Sequence, residues 1–242
     1  MITNTKLLVS VTNVEEALIA LDASVDIIDL KDPNVGALGA LPLSVIKEIV
    51  LAVNKRAVIS TTVGEHHKDI AGLIHDIQQT ALLGVDIIKI AINMTIANEL
   101  LCDVDFFYLV QQLTVSTIRL VAVLFVDNNL DLNVLPNLKL LGFYGAMLDT
   151  EHKNGKNLIY HLSAEALKNF IQLCQQYQFK TGFAGSLTAE SVINLVNLKP
   201  NYLGFRGGVC HNFKRQSALD KSKITEIKNM LQENNKVCAI TN

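Results

Sequence analysis

Short apolar runs rich in valine and isoleucine recur about every 20 to 35 residues, with longer amphipathic stretches between them. That alternation restricts the chain to α/β architectures built on a parallel sheet. Eight runs read as strands, over 7–11, 26–30, 57–63, 86–92, 120–126, 143–149, 181–185 and 202–207. Between them, Asn13 caps a helix to 23, 43–54 is a second, and 69–83 a third that ends on Gly84 as its C′ glycine. The stretch 96–116 is expected to hold the fourth helix, and 130–141 a short one broken by Pro136. Ser163 opens a helix to 177, Thr188 with Ser191 starts another that stops before Pro200, and 218–234 forms a last polar helix. A weak internal echo, Ser24 to Leu30 against Gly84 to Ile90, is expected of two like strands in one barrel.

Eight βα units in 242 residues predict one domain, 1–242, folded as a (β/α)8 TIM barrel, which typically takes about 250 residues. An open doubly wound sheet shows the same alternation. It would usually place G-x-G-x-x-G after the first strand or carry a G-x-x-x-x-G-K-[ST] loop, and neither motif occurs. The 50% hydrophobic and 18% charged composition, with a mean hydropathy of +0.30, suits strands buried on both faces.

A net charge of -2 gives no general attraction for nucleic acid or anionic membranes, so any anion must be held locally. The N-terminal residues lack a secretory pattern and no run approaches about 18 apolar residues, which predicts a cytoplasmic protein. Cys102, Cys174, Cys210 and Cys238 are scattered without a C-x-x-C pair and are expected to be buried or inert thiols. His66 and His67 are adjacent, but no metal-binding histidine motif occurs, so no metal site is expected. An oligomer is a base-rate expectation for barrels.

In a barrel the reactive groups gather at the C-terminal strand ends, and residues two apart on a strand point the same way. Asp29 and Lys31 close the second strand two apart, Lys89 lies inside the fourth between Ile88 and Ile90, and Asp149 ends the sixth with Lys153 four residues on. A lysine between isoleucines in a buried strand is costly while charged, unless paired. One account of Lys89 is a structural ion pair with Asp29. The other is chemical: a desolvated amine can attack a carbonyl or carry a proton. The convergence of Lys31, Lys89, Asp29 and Asp149 at one level favours chemistry. Gly185-Ser186 before the helix at Thr188, and Gly207-Gly208 after the eighth strand, form the usual anion corner, although glycines at tight turns alone also fit. Arg206 suits a structural ion pair as well as a site role.

These residues fall within longer motifs: Asp26-Ile27-Ile28-Asp29-Leu30-Lys31-Asp32-Pro33 with Gly36 to Ala40, Ile88-Lys89-Ile90, Met147-Leu148-Asp149-Thr150 with Lys153, Gly155 and Lys156, Gly182 to Leu187, and Leu203 to Cys210. With Leu8-Val9-Ser10 at the start, the chain resembles, nearly end to end, the (5-formylfuran-3-yl)methyl phosphate synthases. One departure is Ala37, where the family pattern has serine. The resemblance implies a lyase that condenses two molecules of glyceraldehyde 3-phosphate, with loss of phosphate and water, on the route to methanofuran-type cofactors. It assigns the Schiff base to Lys31, proton transfer to Lys89, and other active-site positions to Asp29, Asp149 and Lys153. No nicotinamide, flavin or pyridoxal phosphate motif is visible, so a cofactor-free reaction is expected. A Schiff-base aldolase on another sugar phosphate, or a non-catalytic phosphosugar-binding module, stays open.

Overall fold

Each predicted apolar run forms a strand: β1 (Lys6–Val11), β2 (Ile27–Leu30), β3 (Val58–Thr62), β4 (Ile87–Ala91), β5 (Arg119–Phe125), β6 (Gly145–Asp149), β7 (Lys180–Phe183) and β8 (Tyr202–Phe205). In the computed structural model, which describes residues 4–65, 67 and 69–240 (236–240 without side chains), every neighbouring pair is parallel. Pairing of β8 with β1 closes the ring into a (β/α)8 barrel. His66, half of the histidine pair, lies outside the described residues, as does the side chain of Cys238.

The helices are α1 (Val14–Asp22), α2 (Leu43–Val53), α3 (Ile70–Ala81), α4 (Met94–Leu101), α5 (Val104–Val115), α6 (Leu135–Leu140), α7 (Leu158–His161), α8 (Ala164–Gln176), α9 (Ala189–Val196) and α10 (Lys221–Ile240). Most start on a side-chain cap. Asn13, Asp69 and Ser163 accept the amides of Glu16, Gly72 and Ala166, and Thr188 and Ser191 cap each other's backbone.

Three expectations are corrected. The fourth helix is two helices, because Asn93 caps α4 and Asp103 starts α5 by accepting the Phe106 amide. Pro136 does not break its helix but sits in the first turn of α6, where its missing N–H costs nothing. The last helix begins at Lys221 rather than 218, because Leu219 is held in an antiparallel bridge with Cys210.

The internal echo has a structural cause. Asp26, just before β2, accepts the Leu7 amide of β1 at 2.8 Å, and Asp86, just before β4, accepts the Ile59 amide of β3 at 2.8 Å. Asn201 repeats the arrangement before β8, taking the Thr181 amide of β7 at 2.8 Å. Ser24 and Gly84, two residues ahead of the aspartates, both take left-handed backbone. Each unit thus seals the bottom of the preceding strand, where backbone donors would otherwise be unpaired.

Alternation splits the apolar residues into two layers. Outward-facing strand residues and the inner helix faces form the larger core. Inside the ring a smaller cluster, with Leu8, Ile27, Ile87, Val121, Met147 and Tyr202, plugs the lower lumen. Gly182 makes room there, since a Cβ at that position would overlap the Tyr202 ring. Above this plug the inward residues become polar.

Candidate active site

The polar layer begins with register. Ser10, Asp29 and Ser60 lie side by side on β1, β2 and β3, all pointing inward. Asp29 is fully buried, accepting Ser10 Oγ at 2.9 Å, Ser60 Oγ at 2.6 Å and Lys89 Nζ at 2.7 Å. The ion pair foreseen as the structural account of Lys89 therefore exists, and it lies inside the polar layer. Burial alone would raise the Asp29 carboxyl. The charges of Lys89 and Lys31 and the hydrogen bonds from Lys89 and Ser60 overcome that and hold it below the usual carboxylate range.

A second carboxylate closes β6. Asp149 Oδ1 accepts the Thr150 amide at 2.7 Å and Lys153 Nζ at 2.8 Å. Burial works against its ionisation, but Lys153 and Lys31 outweigh it and keep Asp149 ionised. Lys153 also donates to the carbonyl and hydroxyl oxygens of Thr150 at 2.5 and 3.1 Å. An ammonium has three donors, so this set uses all of them. Lys153 is thereby a group that fixes Asp149.

Between the carboxylates stands Lys31, one residue beyond β2 and 6% exposed. Burial pulls its amine down to about 8; Asp149 and Asp29 oppose the shift, while Lys89 and Lys153 add to it. At pH 7 about a tenth of such amines is uncharged, against fewer than one in a thousand for an ordinary lysine.

Lys31, Lys89, Asp29, Asp149 and Lys153 line one cavity of about 470 Å³, and Gly185, Ser186, Gly207 and Gly208 line it too. Gly185 takes φ +102°, left-handed backbone that suits glycine, and Ser186 follows at 52°. At Gly208 a Cβ would overlap the Leu187 carbonyl, so the loops after β7 and β8 meet in backbone contact. Arg206 is the structural ion pair: its guanidinium holds both oxygens of buried Glu16, at 2.6 and 3.1 Å.

Sequence reading missed the partners and the rim. Ser10 and Ser60 become visible only through register, because each touches Asp29 from a different strand. Lys214, Arg215 and Gln216 line the cavity from the loop after β8, where no periodicity marks them. Among the described residues no group of three or more His, Cys, Asp or Glu side chains is placed to hold a metal. Cys174 and Cys210 are buried, and Cys102 is exposed at the junction of α4 and α5. No described helix is long and apolar enough to cross a membrane.

A closed (β/α)8 barrel with paired lysines and carboxylates at the C-terminal mouth of its strands defines a barrel of the enzyme type. The chain belongs to the 4-HFC-P synthase family, whose sequence pattern matches residues 7–228. A Methylorubrum extorquens protein bearing the name (5-formylfuran-3-yl)methyl phosphate synthase provisionally is 38% identical over 222 residues, 91% of this chain and 89% of that protein. The (5-formylfuran-3-yl)methyl phosphate synthase of Methanosarcina barkeri is 31% identical over 231 residues, 89% of this chain and 97% of that one. Among solved structures, 3-keto-L-gulonate-6-phosphate decarboxylase from Vibrio cholerae superposes with a TM-score of 0.64 at 12% identity, covering 96% and 99% of the two chains. Phosphoribosyl anthranilate isomerase from Thermus thermophilus gives 0.63 at 10%, covering 95% and 99%. At such identities the likeness speaks for the barrel alone.

Proposed function

We propose that the protein is a lyase that joins two molecules of glyceraldehyde 3-phosphate through a Schiff base on Lys31, giving (5-formylfuran-3-yl)methyl phosphate. The observation that carries this is the Lys31 amine, buried, lowered to about 8 and set between two ionised carboxylates in a cavity of triose-phosphate size. Family membership supports it: the relatives' names specify the furan phosphate. Two trioses equal that product plus one phosphoric acid and two waters. The atoms balance without an oxidant or reductant, so the chemistry asks for acid, base and an electron sink.

The uncharged Lys31 amine attacks the aldehyde carbon of one triose, and loss of water leaves an iminium that draws electrons from the adjacent carbon. Lys89, seated on Asp29, exchanges the proton of that carbon and supplies protons to departing hydroxyls. Asp149, fixed by Lys153 and Thr150, stabilises the iminium charge as it forms. The backbone amides at Gly185, Ser186, Gly207 and Gly208 receive a substrate phosphate. The product would feed a cytoplasmic route to methanofuran-type cofactors.

Incubation with glyceraldehyde 3-phosphate and borohydride tests the reading. A reduced adduct on Lys31, with a near-ultraviolet furan absorbance in the unreduced reaction, is the expected result. An adduct without furan absorbance would make the protein an aldolase, and no adduct on any lysine would make it a phosphosugar-binding module.

A further inference from the structure

The deep cavity is nearly neutral. Lys31, Lys89 and Lys153 face Asp29 and Asp149, which leaves at most one positive charge, and none once Lys31 has lost its proton. Two triose phosphates bring about three to four negative charges at neutral pH. Arg206 lines the cavity but is neutralised by Glu16. The remaining cations on the cavity wall, among the described residues, are Lys214 and Arg215.

Arg215 is built into place. Its carbonyl accepts Arg206 Nε at 2.7 Å, and the Ser217 carbonyl accepts Arg206 Nη2 at 3.1 Å. The buried Glu16–Arg206 pair therefore braces the loop from below. Just before it, Asn212 and Phe213 take left-handed backbone at φ 53° and 57°, which is uncommon for asparagine and unfavourable for phenylalanine. From this strained loop the Arg215 side chain is half-buried and reaches the segment after β2, where Nη2 donates to the Gly36 carbonyl at 2.6 Å. That bond uses one of five guanidinium N–H groups. Asp149, Glu65 and Asp32 are close enough to act on its charge.

We propose that Arg215, with Lys214 beside it, is the handle for the second substrate phosphate, separate from the amides of the glycine turns. A guanidinium offers paired donors in the plane that a phosphate accepts, and partial desolvation strengthens the contact. The assignment rests on the two-triose reading above, but it is tested by a different measurement.

Inorganic phosphate is titrated calorimetrically into the wild type and into Arg215→Met, Arg215→Lys and Lys214→Ala. The wild type is expected to bind two phosphates per chain. Arg215→Met should keep one, its affinity within about twofold, while Arg215→Lys recovers the second about tenfold more weakly. A single wild-type site, or two undiminished sites in Arg215→Met, overturns the proposal. If Arg215→Met fails to fold, exposed Lys214→Ala decides: a severalfold weaker second site supports the assignment, and an unchanged one overturns it. Wild type that gives no borohydride adduct on Lys31 would instead remove the two-triose reading, whatever the phosphate count.

Discussion

A lysine that releases its proton near pH 8 is a poor choice for stabilising a strand end, and at Lys31 the instability and the proposed Schiff-base chemistry have the same source. An unfolded lysine keeps its proton up to about 10.5, whereas the folded Lys31 gives it up at about 8. The folded state therefore binds fewer protons between those values. The destabilisation is fully present below pH 8 and is relieved as pH rises from 8 to 10.5. Lys31→Met should accordingly be inactive yet more stable at pH 7, by on the order of 2 kcal/mol in urea unfolding. A less stable variant would mean that the carboxylates gain more from Lys31 than burial costs it. Under the proposed mechanism the same titration sets the rate. Trapping on Lys31 requires the uncharged amine, so its rate should rise about tenfold per pH unit up to pH 8 and level off above. A profile still climbing at pH 10 would show an ordinary lysine.

Strand pairing places partners that no local pattern announces. Asp29, Lys31, Lys89 and Asp149 were legible in the sequence because charges inside apolar strands are unusual. Ser10 and Ser60 were not, because a serine beside valine or isoleucine carries no such signal until register sets it against Asp29. Helix boundaries failed for a related reason. Asp103 caps α5 within a continuous amphipathic stretch, and Pro136 reads as a breaker unless the first helical turn is already known. The aspartates before β2 and β4 show the converse, a repeated local signal whose meaning lay in the neighbouring strand. Pairing also explains Gly182 on β7, which lies opposite Tyr202 on β8. Gly182→Ala should cost about 1–3 kcal/mol of stability through overpacking. Tyr202→Leu in the same chain should recover part of that loss, since the added methyl would then meet a smaller side chain. Additive effects in the double-mutant cycle would refute the steric explanation.

Closure is a property of the whole molecule. β1 and β8 seal the ring, and α10 clasps the seam: Ile224, Ile227 and Leu231 are buried, Lys228 bonds Asp26 at 2.7 Å, and Asn235 accepts the Thr5 amide at 3.1 Å. Burial of three such side chains contributes about 5–9 kcal/mol, comparable to the entire stability of many domains. A chain ending at Asp220 should therefore lose its cooperative thermal transition in circular dichroism. A truncated chain that melts like the full one would show that the ring holds without its clasp.

By itself the sequence determined the eight βα units, the barrel and the charged residues at its mouth, because periodicity and a charge among apolar neighbours are local properties. Only the tertiary structure decided that Asp29 is shared by Ser10, Ser60 and Lys89, that Arg206 is paired with Glu16 and braces a loop, and that Arg215 reaches the cavity from that loop. Those relations join residues up to 190 or more positions apart. They exist only because the ring closes at one register, and contact at such separation leaves no periodic trace along the chain.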